Sequence, residues 1–492
     1  MYEYINLDPC QYYTAPGLSW DAMLKTTNIE LELLTDIEMH NFIQKGIRGG
    51  LVQCSRRQSI ANNKYLSDYD ETKPSEYLMY LDVNNLYGCA MSYYLPYSEF
   101  KWLENVNSLN IFDITPDSPI GYIFEVDLEY PDILHNKHND LPFCVENKKL
   151  NTMKSKKLLA NLYNKEKYII HYRNLQQCLR HGLILKKIHR VLSFQQSDWL
   201  KIYIDLNNNH RIEAKNAFEK NFFKLLNNAV YGKTMENVDK RVDIKIVSDW
   251  ESKGKRLGAR ALIAKPNFHS SKIFTENMVA IQMNRLKTVY NKPIYIGFTV
   301  LELSKLKMYD FHYDYMLPKF KENLTLNYMD TDSFIYTIKT EDFYNDIRND
   351  IDLQYDTSDY PIDNIFNFPI LNRKRLGFMK DECNGKIMKE FIGLRSKMYS
   401  YKIDDQNDDI KKAKGVKYAA LKMLSINDYR DCLLTNKKEI LLNMYCFRSK
   451  LHVIYTQHIR KVGLSKLDDK RFILPNGIDT LAWGHFNLRN LE

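Results

Sequence analysis

The most informative stretch of this chain is LTLNYMDTDSFIYTIK, residues 324–339. Apolar and aromatic side chains recur at every second position on both sides of its centre, which is the period of a β-strand. Asp330, Thr331, Asp332 and Ser333 lie where two such strands must reverse, so the stretch predicts a hairpin with two carboxylates at its tip. Asp and Ser are also common turn formers, so an ordinary polar turn is the alternative interpretation.

Two ionised aspartates one residue apart repel each other, and a divalent cation between them relieves the repulsion. A further carboxylate is expected from residues 77–83 (YLMYLDV), whose nearly continuous apolar run predicts a buried strand that ends near Asp82. Oxygen ligands favour Mg²⁺ or Mn²⁺ over zinc. Two such ions would support an in-line displacement that releases pyrophosphate. The predicted metal ligands are therefore Asp82, Asp330 and Asp332.

The apolar period changes to 3.6 over residues 211–231, which predicts a helix with two distinct faces. The packed face is predicted to carry Phe218, Phe222, Leu225, Leu226 and Ala229. The opposite face carries Lys220, Lys224, Asn228 and Tyr231, and two further cations, Arg211 and Lys215, lie just upstream. Such a row of cations suits a triphosphate. A solvated lysine face is the alternative interpretation.

The composition of the 492 residues is that of a globular protein. Hydrophobic residues make up 44% and charged residues 27%, with 18 Gly and 14 Pro, which excludes collagen-like, low-complexity and broadly disordered classes. No apolar run is long enough for a membrane span, and residues 1–10 lack the charged-then-apolar layout of a secretory signal, so we expect a soluble, intracellular protein without a membrane partner. The eight dispersed cysteines predict reduced, mostly buried thiols rather than disulfides or a zinc site.

The net charge of +9 is modest, but basic residues cluster at 186–190, 373–375 and 411–417. These clusters could bind a polyanion, with solvated helix faces as the alternative. A helix is also predicted over residues 28–43, followed by a tight turn at Gly46–Gly50.

Taken together, these residues resemble the signatures of family B DNA polymerases. LDVNNLYG (81–88) resembles the first signature, KLLNNAVYG (224–232) the second and YMDTDS (328–333) the third, and KMY (397–399) fits the downstream K-x-Y element. The four occur in the expected order. The wider sequence is similar to the protein-primed branch, in particular to polymerases of Polinton or Maverick transposons and related viruses.

The resemblance implies an α+β right-hand polymerase with an antiparallel palm sheet, helical fingers and thumb, and two insertions. The implied regions are a remnant of the exonuclease side (1–46), palm (47–104), a terminal-protein-contacting insertion (105–205), fingers (206–240), a second insertion for processivity and strand displacement (241–295), palm (296–395) and thumb (396–492). Because 46 residues leave no room for an editing domain, we expect an N-terminally truncated enzyme without proofreading.

The resemblance also implies roles for individual residues. Asp82 and Asp332 would hold two Mg²⁺ or Mn²⁺ ions, with Asp330 in support. Tyr87 would exclude a 2′-hydroxyl, and the other nucleotide-binding residues would be Arg211, Lys215, Lys224, Asn228 and Tyr231. The DNA-binding residues would be Arg48, Gly49, Gly50, Lys397, Tyr399, Lys414 and Lys417.

The sequence thus predicts a DNA-directed DNA polymerase whose partners are primer–template DNA, deoxynucleoside triphosphates and a terminal protein, at work in the nucleus or at a viral replication site. A catalytically silent DNA-binding remnant of a mobile-element or viral polymerase is one alternative. A reverse transcriptase or RNA polymerase is less consistent with Thr331 between the aspartates and with the bulky Tyr87. A calcium-binding or structural protein would not explain the lysines near Lys224.

Overall fold

The computed structural model describes residues 6–106, 109–150, 153–435, 439–451 and 453–489. Its strands are β1 (Val52–Cys54), β2 (Gln58–Ile60), β3 (Glu76–Val83), β4 (Leu95–Trp102), β5 (Ile120–Glu129), β6 (Glu146–Lys148), β7 (Lys157–Leu159), β8 (Lys165–His171), β9 (Ile184–Ser197), β10 (Asp243–Val247), β11 (Phe268–Thr275), β12 (Met278–Met283), β13 (Leu324–Asp330), β14 (Ser333–Lys339), β15 (Tyr355–Asp356), β16 (Met379–Asp381), β17 (Met388–Arg395), β18 (Met398–Ile403), β19 (Ile410–Ala413), β20 (Glu439–Lys450), β21 (Val453–Ser465), β22 (Phe472–Ile473) and β23 (Thr480–Leu481). Its α-helices are α1 (Ala15–Thr27), α2 (Ile37–Gly46), α3 (Leu86–Met91), α4 (His135–His138), α5 (Tyr172–Arg180), α6 (Lys201–Glu213), α7 (Ala217–Thr234), α8 (Ala259–Ile263), α9 (Ile294–Asp310), α10 (Leu317–Phe320), α11 (Phe343–Ile347), α12 (Ile351–Gln354), α13 (Tyr418–Leu421) and α14 (Ile426–Leu434).

The largest sheet, called the palm sheet below, has a main path in the order β1-β13-β14-β3-β17-β18-β19. Neighbours along this path pair antiparallel. Strand alternation places Phe334 and Tyr336 on one face, where they stack on Phe311 and His312 of the helical segment after α9. The hairpin predicted over residues 324–339 is confirmed as β13 and β14, and the predicted buried strand is confirmed as β3.

Smaller sheets flank the palm sheet. A four-stranded sheet has the order β4-β9-β5-β8 and is called the insertion sheet below, after the insertion predicted for residues 105–205, in which three of its strands lie. A second sheet has the order β10-β12-β11, and β20 and β21 form a long two-stranded ribbon. The long helix α9 contacts α2, α3, α5 and α7 and so joins the N-terminal helices to the rest of the core. Within the described ranges, no helix combines the length and apolar character needed to cross a membrane.

The helix predicted over residues 28–43 is wrong in its bounds. Asn28 adopts a left-handed backbone conformation (φ 49°) and ends α1, as asparagine often does at a helix C-terminus. The chain is then extended, and the Glu32 amide donates to the Tyr97 carbonyl at 2.9 Å. Helix α2 begins only after Asp36, whose side chain caps its first turn.

The helix predicted over residues 211–231 is divided into α6 and α7. Asn216 starts α7 by accepting a hydrogen bond from the Glu219 amide. The predicted packed stripe is only partly correct, because Phe218 is 77% exposed and Leu225 is 43% exposed. The first turns of α7 extend beyond the core, and there Phe218 stacks on Phe222 instead, with the ring centroids 6.1 Å apart.

Candidate active site

The two carboxylate-bearing stretches, far apart in sequence, meet at one end of the palm sheet. Antiparallel pairing of β14 with β3 places Ser333 opposite Asp82. The Val83 amide then donates to the Asp332 carbonyl at 2.7 Å. Because this register also aligns the apolar residues of both strands, sheet packing itself fixes where Asp82 lies relative to the hairpin tip.

Residues 330–333, the aspartate turn, form a tight reversal. Thr331 has a positive φ of 62°, and the Asp332 amide donates to the Asp330 carbonyl at 2.6 Å. The Thr331 amide is held from outside the hairpin by the Leu51 carbonyl, at 2.8 Å. A positive φ is costly for a β-branched residue, so this outside contact helps to maintain the turn.

Burial and like charge disfavour ionisation of both carboxylates. Burial raises the pKa of Asp82 to about 8, and the negative charges of Asp332 and Glu382 add to the rise. Burial likewise raises the pKa of Asp332. The ammonium group of Lys224 opposes both pKa shifts. Two half-buried carboxylates that repel each other are a suitable donor pair for a divalent cation, which would remove the repulsion.

Asp330 has a different environment. The Lys397 ammonium group donates to both of its carboxylate oxygens, at 2.8 and 3.0 Å. In the part of the chain that the structure describes, no group of three or more His, Cys, Asp or Glu side chains is placed to hold a metal ion. The structure therefore brings Asp82 and Asp332 together in one cleft and pairs Asp330 with Lys397. The supporting role of Asp330 at the metal ions stays a prediction.

Asp82 and Asp332 open onto a cleft of about 440 Å³. Its lining residues are Asp82, Val83, Asn84, Asn85, Leu86, Tyr87, Arg211, Lys224, Asn228, Thr331, Asp332, Lys380 and Glu382. Cations from α6 and α7 thus lie across the cleft from carboxylates of the palm sheet. Four of the residues predicted to bind the nucleotide are in this lining: Tyr87, Arg211, Lys224 and Asn228.

The other two predicted nucleotide-binding residues, Tyr231 and Lys215, do not line the cleft. Tyr231 contacts Tyr87, with the ring centroids 4.6 Å apart. Burial raises the pKa of both phenols, so both stay protonated at neutral pH. Lys215 is exposed in the junction between α6 and α7 and is not part of the cleft lining.

Sequence reasoning missed Lys380, Glu382 and Asn84. Lys380 lies opposite Asp82 because β16 pairs with the end of β3, and Glu382 follows directly after β16. Asn84 donates to the Asp356 carboxylate at 2.5 Å. Strand β16 has three residues, too few for a period to be recognised. The only local signal is a run of three charged residues, Lys380–Glu382.

Of the residues predicted to contact DNA, Gly50 packs against the aspartate turn, and Gly49 precedes it in the chain. A Cβ atom added at Gly50 would lie 2.4 Å from the Thr331 side chain, whereas one added at Gly49 would have nothing within 4 Å. Arg48 is 8% exposed, and its guanidinium group donates to the carbonyls of Gly46 and Ile169. Arg48 is thus engaged inside the protein.

The predicted DNA-binding residues near the C-terminal side differ in exposure. Tyr399 is buried in the palm sheet, where its hydroxyl shares a hydrogen bond with that of Tyr80 at 3.1 Å. Lys414 and Lys417 follow β19 and are exposed. Lys397 lies 42% exposed beside Asp330. These lysines can therefore reach a ligand in solvent, while Tyr399 acts from within the sheet.

An antiparallel sheet with two acidic strand ends, facing cations across a cleft, is the arrangement of a right-hand polymerase. Structures of phi29 DNA polymerase share this fold. The complex with primer–template DNA gives a TM-score of 0.57 at 16% identity, over 94% of this chain and 69% of that chain. The complex with primer–template DNA and incoming nucleotides gives 0.58 at 16% identity, over 92% and 68%.

A family model described as "DNA polymerase type B, organellar and viral" matches residues 1–316. The chain therefore belongs to the organellar and viral type B DNA polymerases. No curated protein sequence matches it. The resemblance identified from the signature motifs is confirmed by this family match, and the expected right-hand fold is confirmed by the phi29 structures.

Proposed function

We propose that the chain is a template-directed DNA polymerase that adds deoxynucleotides to a primer 3′-hydroxyl. The observation that carries this proposal is the convergence of Asp82 and Asp332 at one end of the palm sheet. Lys224 is close enough to favour the ionised form of both carboxylates. Carboxylates for divalent cations beside a lysine for phosphate suit nucleotidyl transfer, and membership of a DNA polymerase family supports the same reaction.

Asp82 and Asp332 are the residues that would hold Mg²⁺ or Mn²⁺. Bound there, two divalent cations would supply the charge that favours in-line attack by the 3′-hydroxyl and departure of pyrophosphate. In the chain alone, a pKa of about 8 keeps Asp82 largely protonated at neutral pH. Cation binding must release that proton, so the affinity for Mg²⁺ should increase with pH.

The incoming nucleotide is proposed to lie between α7 and the palm sheet. Arg211 and Lys224 would bind its triphosphate, which is rich in acceptor oxygens. Tyr87 is supported by Tyr231, and this contact would keep the Tyr87 ring firm against the sugar and exclude a 2′-hydroxyl. Asn228 would donate a hydrogen bond within the same cleft, and Lys215 would reach the phosphates from the junction before α7.

Primer–template DNA is the proposed macromolecular partner, as it is the ligand in the phi29 complexes that share this fold. Lys397 would hold the primer terminus beside Asp330, with Tyr399 supporting the sheet beneath it. Lys414 and Lys417 would bind the DNA backbone by charge. We also propose the palm, fingers and thumb at the bounds given above, a terminal-protein contact for residues 105–205 and a role in processivity for residues 241–295.

A primer-extension assay tests the proposed function. The purified chain with Mg²⁺ should extend a primed DNA template with deoxynucleotides, and Asp82→Asn and Asp332→Asn should each abolish extension. The exposed Asp408→Asn serves as the matched control and should extend like the wild type. Extension by the two cleft variants at the wild-type rate would contradict the assigned roles. DNA binding without extension by the wild type would instead favour a catalytically silent DNA-binding protein.

A further inference from the structure

Residues 46–52, called the 46–52 segment below, join α2 to β1. Arg48 within this segment is turned toward the insertion sheet. Its Nη1 atom donates to the Gly46 carbonyl at 3.0 Å and to the Ile169 carbonyl of β8 at 2.8 Å. Its guanidinium carbon lies 3.7 Å from the ring centroid of Tyr168, also in β8. The cation is therefore satisfied by the insertion sheet through two hydrogen bonds and a cation–π contact.

Helix α9 binds the backbone carbonyl of Arg48. Lys305 of α9 donates to the Arg48 carbonyl at 2.8 Å and to the Leu301 carbonyl at 3.0 Å. The Lys305 side chain is 12% exposed and pairs with Glu302, which is 4% exposed, at 3.4 Å. Arg48 is thus fixed at both its side chain and its backbone by groups that are themselves buried.

The far end of the 46–52 segment contacts the aspartate turn. The Leu51 carbonyl accepts the hydrogen bond of the Thr331 amide, and Val52 pairs with Asp330. Gly50 packs so closely on the Thr331 side chain that an added Cβ atom would lie 2.4 Å from its Cγ2 and Oγ1 atoms. The position of the turn therefore depends on where the 46–52 segment lies.

We propose that Arg48 is a positioning residue that anchors the 46–52 segment to the insertion sheet and thereby holds the aspartate turn in place. This proposal rests on the proposed polymerase function. It gives the insertion sheet a direct physical connection to Asp332. A displacement of β8 would be transmitted through Arg48 and Gly50 to the carboxylates, because tightly packed contacts transmit small shifts.

The proposal differs from a DNA-phosphate contact by Arg48. To reach a phosphate, the guanidinium group would have to leave two carbonyls and the Tyr168 ring, and Arg48 is not part of the cleft lining. A residue that neutralises a phosphate contributes to the salt dependence of DNA binding. A positioning residue leaves that dependence unchanged and instead alters the rate at which bound substrates react.

Arg48→Ala and Arg48→Lys, with the wild type, distinguish the two roles. Primer–template affinity is measured over a range of salt concentrations, and kcat and the nucleotide KM are measured by primer extension. We expect Arg48→Ala to lower kcat by about 10- to 100-fold, as loss of supporting contacts does in other sites, with KM and the salt slope unchanged. Arg48→Lys should restore part of kcat. A salt slope reduced by about 1 would overturn the proposal, since that is the signature of a lost phosphate contact.

A glycine inside the segment and one far from it provide a matched pair. Gly50→Ala should lower kcat because its new methyl group displaces Thr331. Gly17→Ala in α1 is the control and should behave like the wild type, because its new methyl group would lie at an ordinary contact distance of 3.5 Å from the Thr14 Oγ1 atom. Equal kcat values for the two variants would overturn the proposed connection. Thermal unfolding of each variant shows whether it is folded.

Hydrogen exchange at the Thr331 amide needs no catalysis and separates this proposal from the proposed function. Exchange should be faster in Arg48→Ala than in the wild type, because the bond to the Leu51 carbonyl is loosened. Unchanged exchange would overturn the positioning role, whether or not the chain extends primers. Failure of the wild type to extend primers would contradict only the proposed function.

Discussion

Replacing Asp82 with asparagine should stabilise the fold at alkaline pH even as it removes activity. A pKa that rises from 3.8 to about 8 makes the ionised side chain costlier in the folded state by roughly 6 kcal/mol, at about 1.4 kcal/mol for each pH unit. The cleft is open to water and Lys224 is nearby, so we expect about 2 to 4 kcal/mol of this to be realised. Asparagine carries no charge and avoids that cost.

The direction in which the stability of the wild type changes with pH follows from proton linkage. Because the folded-state pKa of Asp82 lies above the unfolded value, the folded wild type binds more protons between pH 4 and pH 8 and loses stability as the pH rises through this range. The difference between the two free energies of unfolding should therefore be smaller at pH 5 than at pH 8.5, where Asp82→Asn should be the more stable.

Urea denaturation at pH 5 and pH 8.5 in EDTA measures the difference, with Asp408→Asn as the exposed control. Adding Mg²⁺ at pH 8.5 should stabilise the wild type more than Asp82→Asn. An Asp82→Asn variant that is less stable than the wild type at pH 8.5, or a difference that does not change with pH, would refute the reasoning.

Three further predictions concern separate contacts. Tyr87→Ala should admit ribonucleotides in primer extension, and continued rejection would show that another residue selects the sugar. Lys224→Ala should raise the nucleotide KM and lower kcat, because the triphosphate loses a cation, whereas exposed Lys215→Ala should have the smaller effect; equal effects would contradict the placement of the triphosphate. Lys165→Ala should lower the free energy of unfolding by about 3 kcal/mol, since it leaves the partner carboxylate of a buried ion pair without its cation; a change below 1 kcal/mol in urea denaturation would contradict this.

Local sequence patterns predicted the elements that carry the site. The period of two on either side of Asp330 predicted β13 and β14, and the apolar run before Asp82 predicted β3, because strand formation here depends on alternation and burial within a few residues. The helical pattern around Lys224 predicted a cationic face, and Lys224 of that face lines the cleft, while its binding of a nucleotide stays a prediction. The same pattern failed at Phe218, since apolar periodicity does not reveal how far the core extends along a helix.

Only the tertiary structure decided how these elements combine. Lys397 pairs with Asp330, and β16 brings Lys380 and Glu382 to the cleft, through contacts between residues distant in sequence. Arg48, predicted to contact DNA, is instead bound to β8. Sequence periodicity reports which side of an element is buried, whereas the partner of a charged side chain is set by sheet register and helix packing, which depend on the whole chain at once.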